Sequence, residues 1–229
     1  MIISGIQKTT FIDYPGKIAT TVFLAGCNFR CPFCHNRNLV LNEMWLQKIS
    51  PEEILSYLKK RSKYLEGVCV TGGEPLIYND IASFLSSVKK IGLLVKLDTN
   101  GANPRLLKDL YDQKLLDYVA LDIKSTPEKY AEVSGVNIDL DKIKESIRLV
   151  MAGPIPYEFR STILPRFHSE ADIEKMARFI KGARLYYLQN FVPRNTLDQS
   201  FMKERGFTPD ELKTLVGIAG RYVEKCQVR

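Results

Sequence analysis

The 229-residue sequence has no run of eighteen or more apolar residues, which excludes an ordinary membrane-crossing helix. It also lacks a basic-then-apolar leader with a small-residue cleavage site, since Met1-Ile2-Ile3-Ser4-Gly5 passes directly into polar sequence. A soluble, cytoplasmic protein is the expectation. There is no Gly/Ser/Pro-rich linker and no low-complexity stretch, so residues 1–229 are expected to form a single domain; 45% hydrophobic content is enough for one substantial core. The net charge of +7 arises from 33 basic against 26 acidic residues spread through the chain, without the interleaved aromatic and basic positions that single-strand nucleic-acid binders use. Neither membrane nor nucleic acid is therefore expected as a partner. The five cysteines, an odd number with three crowded together, fit a reducing compartment better than a disulfide scaffold.

That crowding is the most informative feature present. Gly26-Cys27-Asn28-Phe29-Arg30-Cys31-Pro32-Phe33-Cys34-His35-Asn36 sets three thiols at Cys-x3-Cys-x2-Cys spacing, and any scheme of pairs leaves one over. Soft-metal ligation is the natural use of such a triplet. Structural zinc takes four protein ligands, whereas a four-iron, four-sulfur cluster held by three cysteines keeps one iron open. Taken alone, the loop also allows a zinc site completed by His35 or by Cys69.

The rest of the chain alternates. Ile18–Leu24 is an apolar, β-branched run that reads as a buried strand with the cysteine loop at its carboxyl end, and Asp13-Tyr14-Pro15-Gly16 before it is a turn. Further strands are expected at Gly67–Val70, Leu93–Leu97, Tyr118–Leu121, Glu158–Leu164 and Leu185–Gln189. Helices are expected between them, opened by the capping signals Ser50-Pro51-Glu52-Glu53, Asn79, Asn103-Pro104, Asp139, Ser169-Glu170-Ala171-Asp172 and Thr208-Pro209-Asp210-Glu211. Six strands in such alternation predict an α/β fold with a parallel sheet, an incomplete (βα)6 barrel or partial TIM barrel. Its ligand site would lie on the loops after the strands, where the polar residues collect: the cysteines, Gly72-Gly73-Glu74-Pro75, Asp98, Asp122 and Lys124.

The cysteine loop, with Phe33 before its last thiol and Gly-Gly-Glu-Pro after the next strand, resembles the paired signature of radical S-adenosylmethionine enzymes, and the likeness spans nearly the whole chain. The resemblance implies that Cys27, Cys31 and Cys34 hold a 4Fe-4S cluster whose fourth iron is chelated by S-adenosylmethionine. It further implies that Gly72, Gly73 and Glu74 face the methionine amino group, and that Phe33 and His35 lie beside the adenine. Asp98, Asp122 and Lys124 would serve the ribose and carboxylate side, and Arg160 would pair the cofactor carboxylate. Within that family the chain is similar to small activases of glycyl-radical enzymes. Thr10-Phe11-Ile12-Asp13-Tyr14-Pro15-Gly16 and Cys34-His35-Asn36 are similar to the activating protein of anaerobic ribonucleoside-triphosphate reductase. The implied partners are that glycyl-radical enzyme and a low-potential electron donor. Activation of pyruvate formate-lyase or another glycyl-radical enzyme, and small-molecule chemistry such as that of a 7-carboxy-7-deazaguanine synthase, are the alternatives. Unlike some relatives, the chain has no histidine in Gln189-Asn190-Phe191-Val192. Cys69 reads as core, and Cys226 as an isolated thiol near the end of the last helix.

Overall fold

The computed structural model describes residues 1–41 and 47–229. Among the described residues eight strands form one sheet in sequence order, and helices separate most of them, as the α/β reading requires. Two strands were not anticipated. Ile3–Thr10 (β1) pairs antiparallel with Ala19–Leu24 (β2), so the sheet is not wholly parallel. At the other end Cys226–Val228 (β8) places Cys226 on a strand and not on the last helix. Both are edge strands with mixed exposure, and neither carries an apolar run such as that of β2.

The chain divides into two compact units. The first comprises Met1–Asn28, Asn38–Val119 and Gly153–Pro156. It holds β1, β2, Gly67–Gly72 (β3) and Leu94–Thr99 (β4), with β2, β3 and β4 parallel. Its helices are Pro51–Arg61 (α2), Ile81–Lys90 (α3) and Pro104–Asp112 (α4), after Arg37–Leu41 (α1), which starts at the junction between the units. Val22, Val68, Val70, Val95 and Leu97 are fully buried, as β-branched and leucine side chains are when both faces of a strand are covered. The caps act as the residue types dictate: Ser50 and Glu53 form a reciprocal capping box, and Asn103 accepts from the Leu106 N–H, each such cap being worth about 1 kcal/mol. At α3 the cap position is Asp80 and not the expected Asn79, with no side-chain bond to the helix end.

Tyr118–Asp122 (β5) starts in the first unit and ends in the second, which otherwise comprises Phe29–Arg37, Ala120–Ala152 and Tyr157–Arg229. There Tyr157–Ile163 (β6), Tyr186–Asn190 (β7) and β8 are parallel. Tyr130–Ser134 (α5), Leu140–Ala152 (α6), Glu170–Phe179 (α7) and Pro209–Ala219 (α8) complete it. Ser169 with Asp172, and Thr208 with Glu211, close the two capping boxes read from the sequence. Among the described residues no helix is long and apolar enough to cross a membrane.

Candidate active site

In the first unit, Cys27 leaves the end of β2 through Gly26, whose φ of +78° is open to glycine and strained for other residues. The Gly72-Gly73-Glu74 turn after β3 is joined to this exit backbone to backbone. Gly73 N–H donates to the Leu24 carbonyl at 2.8 Å and Glu74 N–H to the Gly26 carbonyl at 2.9 Å. A Cβ on Gly73 would stand 1.8 Å from the Gly26 oxygen, so the glycine permits a close approach within the chain itself.

The Glu74 side chain is 2% exposed, and its carboxylate braces the next strand end. Oε1 accepts from the Leu76 N–H at 2.9 Å and the Thr99 hydroxyl at 2.7 Å, and Oε2 from the Asn100 N–H at 2.6 Å. Asp98, at the head of that turn, is ion-paired with Lys96. Asn100 Nδ2 in turn donates to Asn28 Oδ1 at 2.7 Å and lies 4.0 Å from Cys27 Sγ. Lys96, Thr99, Asn100 and Asn28 had no role in the sequence reading. The Asp-Thr-Asn-Gly run was the available signal for Thr99 and Asn100, and nothing local marks the others.

In the second unit, the loop carrying Cys31 and Cys34 turns on itself, with Cys34 N–H donating to the Cys31 carbonyl. It is pinned by Leu197 N–H to the Cys34 carbonyl at 3.0 Å and by Asp198 N–H to the Pro32 carbonyl at 2.9 Å. Phe33 is buried against Phe167 and Phe191, at centroid distances of 5.8 and 6.5 Å. His35 is exposed and stacks on Phe191 at 5.4 Å.

Asp122, Lys124 and Arg160 come together as one cluster. Lys124 Nζ donates to Asp122 Oδ2 at 2.9 Å and Arg160 Nε to Asp122 Oδ1 at 3.0 Å. The buried Glu158 extends the row, 3.9 Å from Arg160 and 3.2 Å from Arg229. Two residues absent from the sequence reading hold the Lys124 backbone. Its N–H meets the Tyr130 hydroxyl at 3.4 Å, and its carbonyl meets His168 Nε2 at 3.0 Å. The Leu164 N–H donates to His168 Nδ1, which makes Nε2 the protonated nitrogen. Burial lowers the His168 pKa below its ordinary value and favours the neutral ring.

The thiol donor set suits an iron–sulfur cluster. Cys27, Cys31 and Cys34 are all free of disulfides. Burial pushes the Cys31 thiol up to about 11, partly opposed by the Lys124 ammonium, and burial likewise raises Cys34. Such thiols stay neutral until a metal displaces the proton, and a nearby cation favours the resulting anion. Burial alone would lower the Lys124 pKa, but Asp122 and then Cys31 hold it above its ordinary value, so this cation persists. Three thiols within eight residues are the soft donors that an iron–sulfur cluster takes.

A family model described as the Radical SAM superfamily matches residues 21–180. A protein of Methanocaldococcus jannaschii provisionally named a glycyl-radical enzyme activating enzyme is 33% identical over 233 residues, covering 100% of this chain and 95% of its own. The pyruvate formate-lyase-activating enzyme of Clostridium pasteurianum is 29% identical over 85% of this chain and 82% of its own. Among solved structures, Streptococcus suis SuiB superposes with a TM-score of 0.67 at 15% identity, over 91% of this chain. The chain spans 48% of SuiB, about half its length, and the likeness is one of fold. By its sequence matches the chain belongs to the Radical SAM superfamily, enzymes that work with a 4Fe-4S cluster and S-adenosylmethionine.

Proposed function

We propose that the chain activates a glycyl-radical enzyme, most specifically an anaerobic ribonucleoside-triphosphate reductase. Cys27, Cys31 and Cys34 would hold the cluster by three irons, with the fourth left to the amino and carboxylate groups of S-adenosylmethionine. When bound and reduced, this pair supplies methionine and a 5'-deoxyadenosyl radical able to take a hydrogen atom from a glycine Cα of the partner. The observation that carries the cofactor reading is the weld between the Gly-Gly-Glu turn and the root of the cysteine loop, which sets backbone groups of residues 72–74 beside Cys27.

The Glu74 carboxylate is occupied by three donors of its own chain, so in this reading the Gly72-Gly73-Glu74 segment presents backbone carbonyls to the methionine amino group. Asp98 would accept from the ribose hydroxyls. Asp122, held by two cations, would share that role, while Lys124 would serve the cofactor carboxylate and help hold the cluster thiolates as anions. Arg160 would fix Asp122 and add positive charge toward the cofactor carboxylate. The His35–Phe191 stack, with Phe33 beneath it, would offer an aromatic surface to the adenine.

The macromolecular partner is favoured over a small molecule by the Methanocaldococcus relative, matched along 95% of its length. A cytoplasmic setting and a low-potential reductant go with this assignment. The test is anaerobic reconstitution with iron and sulfide, reduction in the presence of S-adenosylmethionine, and paramagnetic resonance of candidate partners. A glycyl radical should appear on the anaerobic ribonucleotide reductase and not on pyruvate formate-lyase. Formation of 5'-deoxyadenosine with no spin on any glycyl-radical protein would remove the activase assignment and leave the cofactor chemistry standing.

A further inference from the structure

Outside the residues just assigned, the least expected side chain of the first unit is Lys96. It lies in mid-β4 between the fully buried Val95 and Leu97, and its own side chain is 1% exposed. An apolar residue would fill the position without the cost of desolvating an ammonium, so what lysine adds there is charge. Its neighbours identify what the charge is for. Cys69, its register partner on β3, has Sγ 3.9 Å from Nζ, and the Tyr118 ring centroid is 5.8 Å away. The third neighbour is the carboxylate of Asp98, two residues on and therefore on the same face of the strand, whose Oδ1 takes the ammonium.

We infer that Lys96 is a positioning residue, an internal cation that fixes the Asp98 carboxylate in one orientation to receive the ribose hydroxyls of S-adenosylmethionine. This rests on the assignment of Asp98 to that cofactor made above. The surrounding bracing follows the same pattern: Glu74 holds the backbone at Asn100 and the side chain of Thr99, and Lys96 holds the one side chain that heads the turn. An aspartate already ordered by folding loses little further freedom when its ligand arrives, and that saving appears as affinity.

The test compares Lys96→Met, Asp98→Asn and the double variant as anaerobically reconstituted holoproteins. S-adenosylmethionine affinity is measured by equilibrium dialysis, and iron content serves as the check on loading. Lys96→Met should keep the wild-type iron content and bind the cofactor about tenfold more weakly, the loss typical of a removed supporting contact. Adding Lys96→Met to Asp98→Asn should cost nothing further, because the partner it acts through is already changed. If Lys96→Met fails to fold, Lys96→Gln makes the same comparison with a neutral hydrogen-bond donor. Wild-type affinity in the lysine variant beside weakened binding in Asp98→Asn would overturn the inference alone. The same loss in both backgrounds would also overturn it. Unchanged affinity in Asp98→Asn would overturn the assignment of Asp98 itself, and the inference with it.

Discussion

Two strands end in the same pair of residues in opposite order. On β4 the lysine precedes the aspartate, Lys96 then Asp98; at the end of β5 it follows, Asp122 then Lys124. The side chains of Lys96 and Asp98 are 1% and 12% exposed, those of Lys124 and Asp122 18% and 26%. The side of the aspartate on which the lysine falls decides the difference. Lys96 lies inside the sheet and can serve only as a fixed counter-charge, while Lys124 lies past the strand end, where its ammonium also reaches the field of Cys31 and Cys34. The second aspartate compensates by recruiting Arg160, and the second lysine by backbone clamps from Tyr130 and His168. In the strand interior a single paired carboxylate offsets the cost of burying the ammonium, whereas at the loop added hydrogen bonds fix the backbone that carries it.

Removing each carboxylate is the strongest way to break that comparison. Asp98→Ala leaves the Lys96 ammonium buried without its carboxylate and should cost about 3–5 kcal/mol of apo-protein stability in urea unfolding. Asp122→Ala leaves cations nearer to water, with Glu158 still beside Arg160, and should cost about 1.5–3 kcal/mol. Equal losses would mean that burial does not separate the two pairs.

A smaller effect is expected where the first unit is braced by a carboxylate whose donors are all uncharged. Glu74→Gln offers one carbonyl where two carboxylate oxygens accepted three donors, and sets an NH2 group against one of them. It should cost about 2 kcal/mol and speed hydrogen exchange in peptides spanning residues 74–78 and 99–102. Unchanged exchange would show that the carboxylate does not fasten this turn.

The smallest effect sharpens the second pair. His168 has a folded pKa lowered by burial from an unfolded value of 6.5, so its contribution to stability is complete above pH 6.5 and declines as pH falls toward the folded value, where the unfolded chain binds more protons. Wild type should therefore lose stability on acidification below 6.5 more steeply than His168→Phe. The variant should also be about 1–2 kcal/mol less stable at neutral pH, from the lost tether on the Lys124 carbonyl. Identical slopes for the two proteins would show that the ring does not remain neutral in the fold.

Much of this architecture was legible from local pattern. Ile18–Leu24 and Tyr118–Leu121 announce strands because consecutive apolar, β-branched residues suit a strand buried on both faces, and Ser50, Ser169 and Thr208 announce helix starts because their hydroxyls reach a backbone N–H three residues on. β1 and β8 escaped because an edge strand needs only a backbone neighbour, and Ile3–Thr10 and Cys226–Val228 have no continuous apolar run to show. At the site, the cysteines, the Gly-Gly-Glu turn and the strand-end aspartates were all marked by position. Their working partners Lys96, Asn28, Tyr130 and His168 were not, since a lone lysine or histidine in a strand or loop has no periodic signature.

The sequence by itself determined the spacing of three thiols on one loop, the alternation of strand and helix, and the placing of polar residues at strand ends, because each depends on residues within a few positions of one another. Only the tertiary structure decided which of those polar groups are spent on the chain itself. Glu74 is committed to Thr99 and Asn100, and Asp122 to Arg160, across 25, 26 and 38 residues of sequence. The energy of a charge or hydrogen bond depends on burial and on partners brought in from afar, and both exist only once the chain has folded.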